Sequence, residues 1–210
     1  MTADPSNQSG PTPISDGRLI SLSDGVFAFA MTLMVITLDV PKPDSVTTAE
    51  LPRAVQRQWP EFLGYGLTFW IIATFWFVHR RFFRQIVAED VAVGWLNIAF
   101  LFCIVFLPYP TDMMGDFEQS RFALIFYATT MIVTSAILSV LWEYSRRRGL
   151  MAKSVVEREH FSARLRSALI PSVMLLSIAL SFFSLAAARI SWTLILVGEI
   201  VLKSPPSDSS

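Results

Sequence analysis

The chain runs to 210 residues, of which 53% are hydrophobic and 16% charged, and its mean hydropathy is +0.50. Soluble domains carry about 25% charged residues, so this balance excludes one and indicates an integral membrane protein of single-domain length. The 17 basic and 17 acidic residues cancel; no global field favours nucleic acid, and no zinc-finger, recognition-helix or Gly-rich phosphate motif is present.

Residues 1–17 are polar, contain Pro, Ser and Gly, and lack an apolar core, which predicts a disordered tail rather than a secretory signal. From Leu19 to Val40 the only charged side chains are Asp24 and Asp39. As a helix this run reaches about 33 Å, enough to cross a hydrocarbon core of about 30 Å. Ala28-Phe29-Ala30 has the small-residue spacing of a peptidase site, but apolar sequence continues ten residues beyond it, so an uncleaved spanning helix is expected. On a helical wheel Leu22, Gly25, Phe29, Thr32, Leu33, Ile36 and Val40 share one stripe, and Asp24 falls on another face with Phe27, Met31, Val35 and Leu38. The stripe suits either an axis-lining surface or ordinary helix packing, and the wheel alone does not separate them. Asp24 lies a turn inside the run, where an unpaired carboxylate costs several kcal/mol, so it requires a partner.

Pro41 and Pro43 end this helix by removing donors and restricting the residues before them. Residues 42–58 form a polar link with a short amphipathic turn around Leu51 to Trp59. Further spans are predicted over 60–79, 91–109, 122–144, 167–187 and 188–203, giving six within a membrane domain of residues 18–203 and leaving 204–210 as a polar tail. Gly64-Tyr65-Gly66 falls inside the second span. No Thr-Val precedes it, and Leu63 and Leu67 continue the apolar run, so it reads as a close-packing site rather than a re-entrant filter. Cys103, the single cysteine, allows no intrachain disulfide and no CxxC metal site, and reads as a small packing residue. An acidic link with Asp112, Asp116 and Glu118 follows the third span. Thr129, Thr130, Thr134, Ser135 and Ser139 of the fourth suit back-bonding and helix packing. Arg146 to Arg166 is the most basic link, and His160 within it is expected to be solvated. The last stretch, Ile190 to Leu202, is shorter than a comfortable span.

Orientation follows from the basic residues of the short links. With the amino terminus inside, twelve fall on that side, against five on the other: Lys42, Arg53, Arg57, Arg121 and Arg189. Both termini are therefore expected in the cytoplasm, which requires an even number of spans. In that arrangement Arg18, Ser23 and Asp24 from the first helix, Trp76 and His79 from the second and Asn97 from the third converge at one depth. Such a set reads as a structural clamp whose donors satisfy Asp24, with proton sensing by His79 or surface snorkelling of unrelated groups as the alternatives. It does not read as a hydrolase: Ser23 and Asp24 point about 100° apart on a helix and cannot address one His in relay order, and neither a nucleophile elbow nor HExxH occurs.

The pattern Arg18-x-x-x-Leu22-Ser23-Asp24-Gly25, followed by Ala28-Phe29-Ala30-Met31-Thr32-Leu33, resembles the first-helix signature of the transmembrane protein 175 family of potassium channels, in its short prokaryotic form. Trp76-x-x-His79-Arg80-x-Phe82 looks like the end of that family's second helix. Asn97-x-x-Phe100-Leu101 with Phe106-Leu107-Pro108-Tyr109-Pro110-Thr111 looks like its third. These motifs cover roughly the first half of the chain; the second half agrees only in hydropathy. The chain departs from the family pattern at Leu22, where the family carries Phe, and at Phe29, where Ile is more common.

The resemblance implies an all-α membrane protein of six transmembrane helices per chain, assembled as a homotetramer around its first helices, with no re-entrant filter loop. It implies a constriction five residues after the motif's Asp, here Phe29. With four copies around an axis, Leu33 and Ile36 would add apolar rings and Thr32 a hydroxyl between them; bare hydrocarbon resists a hydrated ion and gates by dewetting. The implied function is a potassium-permeable cation channel of the cell membrane, with potassium ions and the lipid bilayer as its partners, no cofactor and no resident metal. The alternatives are a proton-coupled secondary transporter using Asp24 and His79, for which no inverted repeat is visible, and a non-transporting membrane scaffold.

Overall fold

A computed structural model describes residues 17–152 and 160–201. The expected tails at 1–16 and 204–210, and the part of the basic link that includes Lys153 and Arg158, lie outside these residues, as do the side chains of His160, Arg164 and Arg166. Among the described residues all regular structure is helical apart from one isolated antiparallel bridge, Ile86 to Met151. The helices are α1 (Arg18–Leu33), α2 (Leu51–Arg57), α3 (Trp59–Phe83), α4 (Val91–Phe106), α5 (Pro108–Asp116), α6 (Arg121–Arg147), α7 (His160–Ser181), α8 (Leu185–Ile190) and α9 (Thr193–Val201). Among the described residues four segments are long and apolar enough to cross a membrane: Arg18–Thr37, Trp59–Phe83, Val91–Asp116 and Arg121–Arg147.

Local chemistry explains the boundaries. Asp90, Ser120 and Ser184 begin α4, α6 and α8 by accepting from the N–H of Val93, Ala123 and Ala187, each side chain satisfying one of the donors a helix start leaves unpaired. Pro60 and Pro108 sit in the first turns of α3 and α5, where a missing N–H costs least. At the end of α6, Gly149 takes φ 68° and the N–H groups of Gly149 and Leu150 return to the carbonyls of Arg146 and Ser145. This Schellman turn sends the chain back against the segment that follows α3, where Val87 N–H donates to Leu150 O at 2.9 Å and Ala152 N–H to Gln85 O at 3.0 Å.

Several boundaries differ from the sequence expectations. The first helix winds as 3₁₀ over Met34–Thr37 and ends there, with Leu38 extended, three residues before the prolines. Helix α3 runs four residues past His79, through Arg80 and Arg81 to Phe83. The third hydrophobic run bends at Leu107 and continues as α5, so Asp112 and Asp116 are helical rather than part of a loop. Residues 182–184 break the fifth predicted span, and Pro171 lies inside α7, not near its start. The sixth is divided at Ser191 and Trp192 into α8 and α9. At about 1.5 Å per residue the whole stretch from Leu185 to Val201 reaches roughly 26 Å, short of a full hydrocarbon core. The Gly64-Tyr65-Gly66 triplet is ordinary helix within α3.

Helix α6 packs on α4 and α7, while α1 lies against α3 and α4. Phe27 and Ala30 from α1 and Met34 from the 3₁₀ turn that follows enter the common core with Ile71, Ile72, Phe75, Phe100, Ile104, Leu124, Tyr127 and Met131. A second buried link ties the bundle together at Tyr127. Its hydroxyl lies 2.9 Å from Thr68 Oγ1, and Thr111 Oγ1, which donates to Leu107 O, lies 3.4 Å from the same Thr68 oxygen. The Tyr127 ring stacks on Trp192, whose Nε1 donates to Ser177 Oγ, which donates in turn to Ala188 O.

Candidate functional site

The Ser-Asp pair on α1 divides its two side chains between neighbouring helices. Trp76 Nε1 of α3 donates to Asp24 Oδ1 at 2.7 Å, and the Arg80 guanidinium, one turn further along α3, lies 5.3 Å from the centre of the same indole. A charge-assisted bond of this length is among the stronger ones. It answers the need for a donor that Asp24's position created.

Ser23, fully buried, points toward α4 instead. Its hydroxyl donates to Leu19 O at 2.7 Å, so its oxygen can only accept from Asn97 Nδ2, 3.1 Å away. That orients the amide and turns Asn97 Oδ1 toward His79 Nε2 at 2.8 Å. The imidazole must therefore donate from Nε2. His79 and Asn97 are both buried. The imidazole sits in an aromatic cage, stacked on Phe100 at 5.4 Å and flanked by Phe27 at 5.6 Å and Phe83 at 4.5 Å.

Ser23, Asp24, Trp76, His79 and Asn97 are thus brought together in two connected bond sets. Arg18 is not one of them: it is exposed at the start of α1, and among the described residues it contributes no hydrogen bond to either set. A residue that spacing could have offered, but did not, is Arg80, which follows Trp76 by four positions on one helix face. Phe27 and Phe83 carry no polar signal, and their role around His79 is visible only in three dimensions. Among the described residues no group of His, Cys, Asp or Glu is arranged to hold a metal ion.

The opposite surface of α1 is apolar and unburied. Phe29 is 58% exposed and Ile36 73%, Leu22, Gly25 and Thr32 are exposed beside them, and Leu33 is half-buried. The Thr32 hydroxyl donates to Phe29 O at 2.8 Å. Val35, which the wheel put on the Asp24 face, is 56% exposed. The 3₁₀ winding explains this: it advances about 120° per residue instead of 100°, so positions after Leu33 drift from the wheel and Ile36 comes to stand over Leu33.

Residues 18–108 match the family described as the endosomal/lysosomal potassium channel TMEM175. A potassium channel of Streptomyces collinus is 31% identical over 173 residues, covering 80% of this chain and 83% of the relative. One of Chamaesiphon minutus is 29% identical over 178 residues, covering 83% and 88%. The crystal structure of a lysosomal potassium-selective channel TMEM175 homologue from Chamaesiphon minutus superposes with a TM-score of 0.74 at 26% identity, over 90% of this chain and 98% of that one. The matched family is one of channels rather than enzymes. A polar clamp behind α1, an apolar front on the same helix and these relationships agree: the chain is a multi-pass membrane protein that belongs to the TMEM175 channel family, in its short prokaryotic form.

Proposed function

We propose that four copies assemble with their first helices around a common axis and conduct potassium through rings of Phe29, Leu33 and Ile36, with Thr32 supplying a hydroxyl between the first two. The observation that carries this reading is the division of α1: Phe27, Ala30 and Met34 are fully buried within the subunit, while Phe29 and Ile36 remain open on the other side. Around an axis, the Asp24–Trp76 and Ser23–Asn97–His79 bonds would hold the rotation and tilt that decide which side chains meet the ion. Phe29 is bulkier than the Ile more common at this place, so its ring would be the narrowest. Such a passage gates by dewetting.

The same proposal has six membrane crossings, α7 forming the fifth and α8 with α9 the sixth, both termini in the cytoplasm and residence in the cell membrane. The distribution of basic residues supports this orientation. The relatives named potassium channels support the permeant ion. Purified protein in liposomes under a potassium gradient should carry current whose reversal potential follows potassium when proton and sodium gradients are varied independently. A reversal potential tracking protons would favour the transporter reading, and no current from correctly inserted tetramer would leave a scaffold.

A further inference from the structure

Among the described residues, helix α2 is the one element with no buried residue. Seven residues do not make a stable helix in water on their own, because nucleation is unfavourable and the gain per residue is small. The turn before it is held locally, Thr47 N–H and Oγ1 both donating to Glu50 Oε2 at 3.2 and 2.7 Å, but Glu50 as N-cap makes no side-chain bond to the helix itself. The helix buries no residue in the subunit, yet its pattern is strongly two-sided. Leu51 and Val55, both exposed, fall about 40° apart around the helix axis, and Arg53 and Arg57 fall on the far side, about 200–240° from Leu51; Trp59, just past the break at Gln58, is exposed as well.

Its placement is set by the two membrane-crossing segments that it joins. Gln58 Nε2 donates to Asp39 O at 2.6 Å, two residues beyond the end of the first segment, and Trp59 begins α3, the second. The helix is therefore held at the level where both segments leave the hydrocarbon. An apolar stripe at that level with an indole at its end, and cations on the opposite face, is the pattern of a helix lying in a bilayer interface. Lys42 in the same link adds a third exposed cation.

We propose that α2 is an interfacial foot: Leu51, Val55 and Trp59 enter the headgroup–acyl boundary of the leaflet on that side, and Arg53, Arg57 and Lys42 bind the phosphates of anionic phospholipids. The inference goes beyond the conduction reading and does not depend on it, since depth in the membrane is measurable in a protein that passes no ion.

The test uses the full chain with Cys103→Ser and a single Val55→Cys or Leu51→Cys carrying an environment-sensitive fluorophore, in nanodiscs of phosphatidylglycerol and phosphatidylcholine. Lipids brominated high on the acyl chain should quench both positions, and aqueous iodide should not; a label at Gln56→Cys should be more open to iodide. Replacing the cations in Arg53→Gln/Arg57→Gln should weaken bromolipid quenching in discs containing phosphatidylglycerol and leave it unchanged in pure phosphatidylcholine. Iodide quenching at Val55 and Leu51 without bromolipid quenching would overturn the proposal, as would disulfide formation between Val55→Cys positions of two copies, which would show a second copy covering the stripe. Quenching by lipid with no effect of the double Arg substitution would overturn its anionic part.

Discussion

Replacing Asn97 by Leu removes the central member of the buried Ser23–Asn97–His79 set while keeping the side-chain volume nearly constant. Two bonds are lost, 2.8 Å to His79 Nε2 and 3.1 Å to Ser23 Oγ. Ser23 keeps its bond to Leu19 O, so the serine loses about 1 kcal/mol or less; the imidazole donor, in a side chain only 2% exposed, is left without a partner, which costs about 1–3 kcal/mol. The sum is about 1–4 kcal/mol. For a chain of this length that corresponds to a melting temperature lower by roughly 2–16 °C, read in detergent by tryptophan fluorescence or loss of the assembled form on size exclusion. The argument is stronger than the single number, because His79→Phe in the same background removes the stranded donor. The ring cage of Phe27, Phe83 and Phe100 accepts a phenyl group, so the double variant should recover at least half of the loss. A melting temperature for Asn97→Leu within about 1 °C of the parent, or a double variant no better than the single one, would refute the bond assignment.

Other substitutions probe separate parts of the fold. Trp76→Phe removes the donor to Asp24 and should cost about 1.5–3 kcal/mol, whereas adding Asp24→Asn should lessen that cost; equal melting of parent and Trp76→Phe would show that the carboxylate finds another donor. Tyr127→Phe cuts the hydroxyl chain to Thr68 and Thr111 and should lower stability by about 0.5–1.5 kcal/mol with no change in permeant ion. At Asp90, burial pushes the carboxyl up, but the bonds from Val93 N–H and the Tyr144 hydroxyl, with the Arg148 charge, outweigh it and hold the group below the ordinary carboxylate range. A lowered folded value means the contribution is complete above the unfolded value of about 3.9 and is lost as pH falls through the folded one. Acid melting below about pH 4 should therefore be less steep in Asp90→Asn, which still caps α4; identical acid profiles would contradict this. Ile36→Asn should raise single-channel conductance by wetting its ring, and unchanged conductance would remove Ile36 from the path.

The polar clamp was largely legible because membrane depth is a strong filter. A carboxylate inside an apolar run needs donors, and indole, imidazole and amide groups at the matching ends of the next two helices were the available ones. Arg18 was included because it falls at that depth, yet it is exposed at the start of α1 while its neighbours Leu19 and Ile20 pack on the core. Helix ends were less legible. The first helix tightens into 3₁₀ before its prolines, so the wheel misassigned Val35. The pairing of Tyr127 with Thr68 joins residues 59 apart in sequence, and no local pattern announces such a contact. The division of the sixth stretch at Ser191–Trp192 was similarly hidden, since its cause is the Trp192–Ser177–Ala188 bonding rather than a proline or glycine.

The account turns on which surface of α1 meets the ion, and thiol modification during current recording reads that surface directly. In a Cys103→Ser background, Phe29→Cys and Ile36→Cys should be modified by a water-soluble thiol reagent with loss of current, while Phe27→Cys, on the buried face, should be unaffected. Block at position 27 with free current after treatment at 29 and 36 would contradict the account.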